Sequence, residues 1–268
     1  MENAGKVIGR KSQGSFEYIL LLGGILLIVV VSVIIMRGSI FNQANQQVEG
    51  NTNEWNIASG ICTTSEAFAI YHLDETSGGT ASDSSKNKIT LSVGSAVNRS
   101  LGKSGNALNF SGNNTDAYAW AFFPDTSLPK WTIEAWIYPT DMAYFQKIVQ
   151  TRAGPWSDWG LYIMESSKKL CYYVSGSGCV VMGSTSLKAN KWQHVAVTYN
   201  GSAYTLYLDG KKDGSSAAAN HVWNMIGIGG LEGDTEMFSG LIDEVKIYRN
   251  VRSEDELIRE YRYGCTDA

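Results

Sequence analysis

The apolar positions of this chain change rhythm near residue 50. Tyr18–Met36 is interrupted only by Gly23, Gly24 and Ser32 and carries no charge. It supplies about 19 residues, enough for a helix to cross roughly 30 Å of bilayer core. Met36, Ile40, Ala44 and Val48 then recur at helical spacing, while Asn42, Gln43, Gln46 and Gln47 fill the other faces. The helix is therefore predicted to continue to Gly50, a natural stop. Asn51–Thr64 is polar and reads as a linker to a globular domain of about 200 residues, a size that can bury its own core.

Within that domain the period falls to two. Alternating runs occupy Ala67–Leu73, Ala117–Ala121, Trp131–Tyr138, Phe145–Thr151, Trp159–Glu165, Leu170–Val174, Trp192–Tyr199, Tyr204–Asp209 and Leu241–Tyr248. Turn residues separate nearly all of them, as in a sandwich of antiparallel strands. Val195, Val197 and Tyr199 point one way, and the turn Asn200-Gly201 leads to Tyr204, Leu206 and Leu208 in the next strand. Only Ser253–Tyr261, with a serine cap and an acidic first turn, reads as helix.

Charge orients the apolar segment. Lys6, Arg10 and Lys11 precede it and Arg37 alone follows closely, which holds the N-terminus inside and sends the head out. The apolar run exceeds the roughly 7–15 residues of a secretory signal core. Glu17, at its threshold, needs a compensating partner, because a carboxylate is costly to bury. Lys11-Ser12 followed by Gln13, Ser15 and Glu17 resembles the class III (type IV prepilin) signal of archaea. The resemblance implies a prepilin-type peptidase cutting between Ser12 and Gln13. Residues 1–12 then form the leader, 13–49 a membrane and later filament helix, and 50–64 the linker. Glu17 is expected to neutralise the new α-amine of a neighbouring subunit or its own helix N-terminus. Other pilin-like subunits, or further copies of this chain, are the implied filament partners. The membrane holds the chain before assembly.

Composition agrees with an all-β head: the chain has 28 Gly, 14 Tyr and 8 Trp but only 4 Pro. A net charge of -4 gives no reason to expect a nucleic-acid partner. Several motifs then give the head a closer likeness. They are Tyr71-His72-Leu73-Asp74-Glu75, Asp83-Ser84-Ser85-Lys86-Asn87, Gly105–Phe110, Trp131–Ile137, Trp192–Ala196, Leu206–Gly210 and Gly240–Tyr248. In this order they resemble the laminin G-like, concanavalin A-like jelly-roll domain over nearly all of Phe68–Tyr263. The implied architecture is a jelly-roll sandwich at residues 65–265, carried on a single long N-terminal hydrophobic helix. Such domains mostly bind glycans or proteins, and a few distant relatives are glycoside hydrolases.

Candidate chemistry is sparse. Asp83, Ser85 and Asn87 alternate oxygen-bearing side chains in a short turn, as a hard cation requires. The resemblance adds Asp243 as a distal ligand and implies a structural Ca2+. Glu232-Gly233-Asp234-Thr235-Glu236 spaces three carboxylates as glucanase catalytic strands do, but its glycines favour a solvated loop, so no catalytic residue is expected. Leu101-Gly102-Lys103-Ser104 fails as a phosphate loop because position 97 is valine. His72, His194 and His221 form no metal or general-base constellation.

Four cysteines in an outward-facing domain allow three pairings. The hairpin spacing of Cys171 and Cys179 pairs these two, which leaves Cys62 with Cys265 to staple the ends of the head. Trp131, Trp136, Trp159 and Trp192 fit strand patterns, whereas Trp156 and Trp223 read as loop-borne candidates for stacking on a sugar. Asn98, Asn109, Asn113 and Asn200 lie in glycosylation sequons. The expected protein is a pilin-like adhesin or minor filament subunit at the cell surface, binding an extracellular glycan or protein. A monomeric anchored lectin-like or structural protein and an anchored glycoside hydrolase are the alternatives.

Overall fold

Strand residues Gln193–Tyr199 show how the sequence builds two layers. Val195, Val197 and Tyr199 enter a large apolar core, while Ala196 faces the other way and packs with Tyr207 and Leu257. Period two thus assigns one side of the strand to the facing sheet and the other to a helix. The computed structural model describes residues 61–62, 66–112, 114–153, 158–217, 221–264 and 266–267. The leader 1–12, the helix 13–49 and nearly all of the linker 50–64 lie outside the described residues. Among the described residues no helix is long and apolar enough to cross a membrane.

The head is an antiparallel sandwich. One sheet runs in the order β12 (Gly178–Ser186), β11 (Lys169–Val174), β10 (Asp158–Ile163), β9 (Gln146–Arg152), β16 (Trp223–Ile228), β7 (Ala119–Thr126), β4 (Leu91–Val93) and β3 (Thr80–Ala81). The other runs β15 (Lys211–Ala217), β14 (Ala203–Leu208), β13 (Gln193–Tyr199), β8 (Trp131–Pro139), β17 (Ser239–Tyr248), β6 (Asn106–Ser111) and β5 (Asn98–Leu101), with β2 (Ala67–Tyr71) also paired to β17. A short parallel pair, β1 (Ile61–Cys62) with β18 (Thr266–Asp267), brings the two ends of the head side by side. Each of the nine alternating runs overlaps a strand. The sequence pattern did not announce β3, β4, β5, β6, β15 and β16.

Helix α1 (Glu254–Tyr263) begins as its sequence predicts. Ser253 Oγ accepts from the Glu256 amide, and Glu256 Oε2 accepts from the Ser253 amide at 2.8 Å, closing a capping box. Leu257 anchors the helix to the outer face of the second sheet, which we call the covered face. Glu134, His194, Lys246 and Arg252 are buried, and so is Glu260 of the helix itself. Lys246 Nζ stands 2.9 Å from Glu260 Oε1 and 3.0 Å from Glu244 Oε2. Burial pushes the Glu134 carboxyl up to about 7 and the His194 imidazole down to about 3.

Candidate functional site

The outer face of the first sheet has no helix upon it among the described residues. Its shape begins with Ala117-Tyr118-Ala119-Trp120-Ala121-Phe122, where alanine and aromatic residues alternate. Ala119 and Ala121 point into the core, so Trp120 and Phe122 are sent outward. This reverses the usual arrangement of large apolar residues in and small ones out. Phe122 is 68% exposed, and Tyr118 lies 5.0 Å from Trp120, ring centre to ring centre.

The neighbouring strands complete a depression of about 450 Å³. β16 contributes Asn224 and Met225, and β9 contributes Arg152, because Met225 pairs across the sheet with both Phe122 and Arg152. The loop between β16 and β17 supplies Leu231 and Glu232 at the rim. Gly227 allows this loop to lie close to the sheet: a Cβ there would meet Leu231 Cγ at 2.5 Å. Leu231, Met237, Tyr118, Trp120 and Met225 form a small apolar cluster separate from the main core.

A polar network flanks the aromatic floor. Asp234, buried against the sheet, accepts from the Leu231 amide and from Gln150 Nε2, both at 2.8 Å. Its other oxygen stands 2.7 Å from Lys147 Nζ and 3.3 Å from Arg152. Asp158 holds Arg152 from the opposite side at 2.7 Å, and Tyr162 donates its hydroxyl to Gln150 at 3.0 Å. Burial alone would lower the Lys147 ammonium, but Asp234, Asp158 and Glu236 more than offset it and hold the group above its ordinary value. Burial, with Glu232 and Asp116 nearby, raises the Tyr118 phenol. The acidic loop is therefore only partly solvated: Glu232 and Thr235 are exposed, whereas Asp234 is locked into the sheet face.

The residues singled out by sequence take other positions. Trp223 is not a surface ring. It opens β16, is fully buried, and packs at 5.7 Å from Trp131 and 6.0 Å from Phe68. Asn220 and Asn224 suggested a loop, but strand register turns the indole inward. Trp156 lies outside the described residues. Trp159 stacks on His221 at 4.2 Å, and burial pushes that imidazole down to about 4.

Asp83, Ser85 and Asn87 share one hydrogen-bonded turn, and Asp243 has a separate set of backbone donors. Asp83 accepts from the amides of Ile70, Ser85 and Ile89 and from Ser85 Oγ, at 2.7–2.9 Å. Asn87 donates to the Phe68 carbonyl, while Lys88 Nζ approaches the carbonyls of Asp83 and Ser84 at 3.4 Å. Asp243 instead accepts from the amides of Lys103, Ser104 and Glu244. Burial holds its carboxyl up at about 7 despite these donors. The turn is thus stitched by its own hydrogen bonds, with the Lys88 ammonium beside two of its carbonyls. Among the described residues no group of three or more His, Cys, Asp or Glu is placed to hold a metal ion.

Cys171 and Cys179 are disulfide-bonded, with Cα atoms 5.8 Å apart. They are not direct cross-strand partners: Cys171 faces Met182 and Cys179 faces Tyr173, with an irregularity between Tyr172 and Tyr173. Backbone pairing sets Cys62 opposite Asp267, and Cys265 lies outside the described residues. Asn98 is exposed on edge strand β5 and pairs across the ladder with half-buried Asn109, which donates to Ser100 Oγ. Asn200 caps its own turn, accepting from Ser202 and Ala203. Asn113 and the processing residues Ser12, Gln13, Ser15 and Glu17 lie outside the described residues.

Comparisons with known proteins agree with this architecture. Residues 10–36 match the class III signal peptide family. No curated protein matches the chain. Among solved structures, domain 4 of a GH43 extracellular arabinanase from Geobacillus stearothermophilus, in complex with arabinotriose, is similar with a TM-score of 0.60 and 18% identity. That match covers 72% of this chain and 97% of the other. The binding domain of Paraclostridial Mosquitocidal Protein 1 follows at 0.59 and 17%, covering 74% of this chain and 52% of that one. A Trypanosoma rangeli sialidase in complex with 2,3-difluorosialic acid gives 0.58 and 15%, covering 76% and 34%. The chain thus spans about half of the second and a third of the third. At these identities the likeness is one of fold. Residues 111–258, more than half of the sequence, match the concanavalin A-like lectin/glucanases superfamily, and the chain belongs to it.

Proposed function

We propose that this is a pilin-like cell-surface protein whose head binds an extracellular glycan through the aromatic depression on the outer face of the first sheet. The observation that carries the reading is the outward row Tyr118, Trp120 and Phe122, beside the hydrogen-bonding groups of Asn224 and Glu232. The half-exposed Trp120 and the exposed Phe122 on β7 offer apolar faces for stacking beside the buried Tyr118, and a few convergent polar groups orient a ligand; together they make the usual form of a small-molecule site. The volume falls within the roughly 300–1,000 Å³ typical of such sites. Delivery to the surface, or into a filament, follows from the class III signal. In this reading a prepilin-type peptidase exposes Gln13, and Glu17 then serves assembly.

Binding rather than hydrolysis is supported by how the carboxylates are engaged. A glycosidase needs two carboxyl groups flanking the scissile bond. Here Glu232 lines the depression, but its neighbour Asp234 is held between Lys147 and Arg152, and Glu236 is directed to Lys147 at 3.5 Å. The test is retention of the detergent-solubilised full chain on an immobilised glycan array. Trp120→Ala is expected to lower retention at least about tenfold without altering the melting midpoint by more than a few degrees. Undiminished retention by that variant would refute the site, and sugar release abolished by Glu232→Gln would favour the hydrolase.

A further inference from the structure

We propose that the depression selects uncharged saccharides and rejects acidic ones such as uronic or sialic acids. This rests on the reading of the depression as a glycan site and goes on to name the ligand class. A carboxylated sugar needs a cation whose charge is not already matched, and among the described residues the one cationic side chain lining the depression is Arg152. That guanidinium is already engaged by two carboxylates, through Nε and Nη2. Its Nε donates to Asp158 Oδ1 at 2.8 Å, and Nη2 lies 2.7 Å from the same oxygen and 3.3 Å from Asp234 Oδ1. Lys147, the next cation inward, faces Asp158, Asp234 and Glu236 and is buried.

The rim carries the opposite sign. Glu232 is exposed at the mouth and forms no ion pair among the described residues. Asn224, also at the mouth, donates to Asp125 at 2.8 Å, so a second carboxylate stands behind it. Four carboxylates, Asp125, Asp158, Asp234 and Glu232, therefore surround an aromatic floor whose two nearby cations are already paired. Gly154, Pro155, Trp156 and Ser157, which join Arg152 and Asp158 through Ala153, add no charge. An incoming anion meets net repulsion in a partly desolvated site, where like charges are costly. An uncharged ring stacks on Trp120 or Phe122 without that cost, and its hydroxyl groups can donate to Glu232.

The detergent-solubilised full chain should be tested on an array of matched pairs: oligosaccharides of glucose, galactose, mannose and N-acetylglucosamine, with the corresponding uronic acids beside the first three. Wild-type protein is expected to retain at least one neutral series about tenfold better than its acidic partner. Glu232→Gln should narrow that gap by raising acidic binding, and Trp120→Ala should abolish both. Equal or better binding of the acidic member would overturn the selectivity while leaving the site in place. Binding insensitive to Trp120→Ala, or no binding to any series, would overturn the site and the selectivity with it.

Discussion

The two outer faces of the sandwich have opposite characters. On the covered face Glu134, His194 and Lys246 are hidden together with Glu260 of α1, and the apolar Leu257 serves as the anchor. On the open face the strands send Trp120 and Phe122 to the surface and leave Phe122 largely bare. Proteins seldom bury charges or expose aromatic clusters without a reason. On the covered face the reason is internal, because Lys246 is matched to carboxylates on both β17 and α1. On the open face no described element matches the aromatics, and Lys147 and Arg152 are paired with Asp158 and Asp234 while Glu232 forms no ion pair among the described residues. One face is finished by the fold, and the other is left open among the described residues.

This contrast can be broken from the covered side first. Lys246→Ala leaves the buried Glu260 and Glu244 without their shared cation, and a loss of about 3–5 kcal/mol is expected in chemical denaturation. Glu134→Gln tests the same face through pH. Burial raises the folded-state pKa of Glu134 to about 7 from the ordinary carboxyl value of 4.5, so the native protein binds the extra proton between them. Wild-type stability is therefore reduced by this group as pH rises through that window, by at most about 1.4 kcal/mol per pH unit. The depressed His194 contributes the opposite slope from about 3 to 6.5 in both proteins, so the difference between them isolates Glu134. The stability of Glu134→Gln relative to wild type should grow from pH 4.5 to 7; a flat difference would remove the burial argument.

Smaller effects sharpen the comparison. Ser253→Ala removes the cap of α1 and should cost about 1 kcal/mol. Phe122→Ala, on the open face, should change stability by no more than about 0.5 kcal/mol, because its ring is mostly in water already. A loss as large as that of Lys246→Ala would mean that the open face is structural too.

Strands with full apolar alternation, and the capped helix, could be read directly from the residues. Edge strands could not: β15 is Lys-Lys-Asp-Gly-Ser-Ser-Ala and β5 is Asn-Arg-Ser-Leu, which obtain their pairing from neighbours rather than from their own pattern. The paired cysteines were legible as a hairpin, although the offset between them was not. Burial of Trp223 depends on rings at Phe68 and Trp131, far away in sequence, so its polar neighbours misled. Asp234 is likewise secured by Lys147, Gln150 and Arg152, more than 80 residues earlier, and no local glycine pattern could announce it. The site itself did leave a local trace. Alanine alternating with aromatic residues from Ala117 to Phe122 states that the large side chains face away from the core.

The measurement closest to the central claim is hydrogen–deuterium exchange on the full chain, with and without the neutral oligosaccharide best retained on the array. Ligand-dependent protection is expected in peptides covering Tyr118–Phe122, Asn224–Met225 and Leu231–Asp234, which form the open-face depression. Protection confined instead to Lys103–Ser104, Trp136 and Tyr261–Gly264, which line a cleft of about 280 Å³ beside the end of α1, would contradict the account.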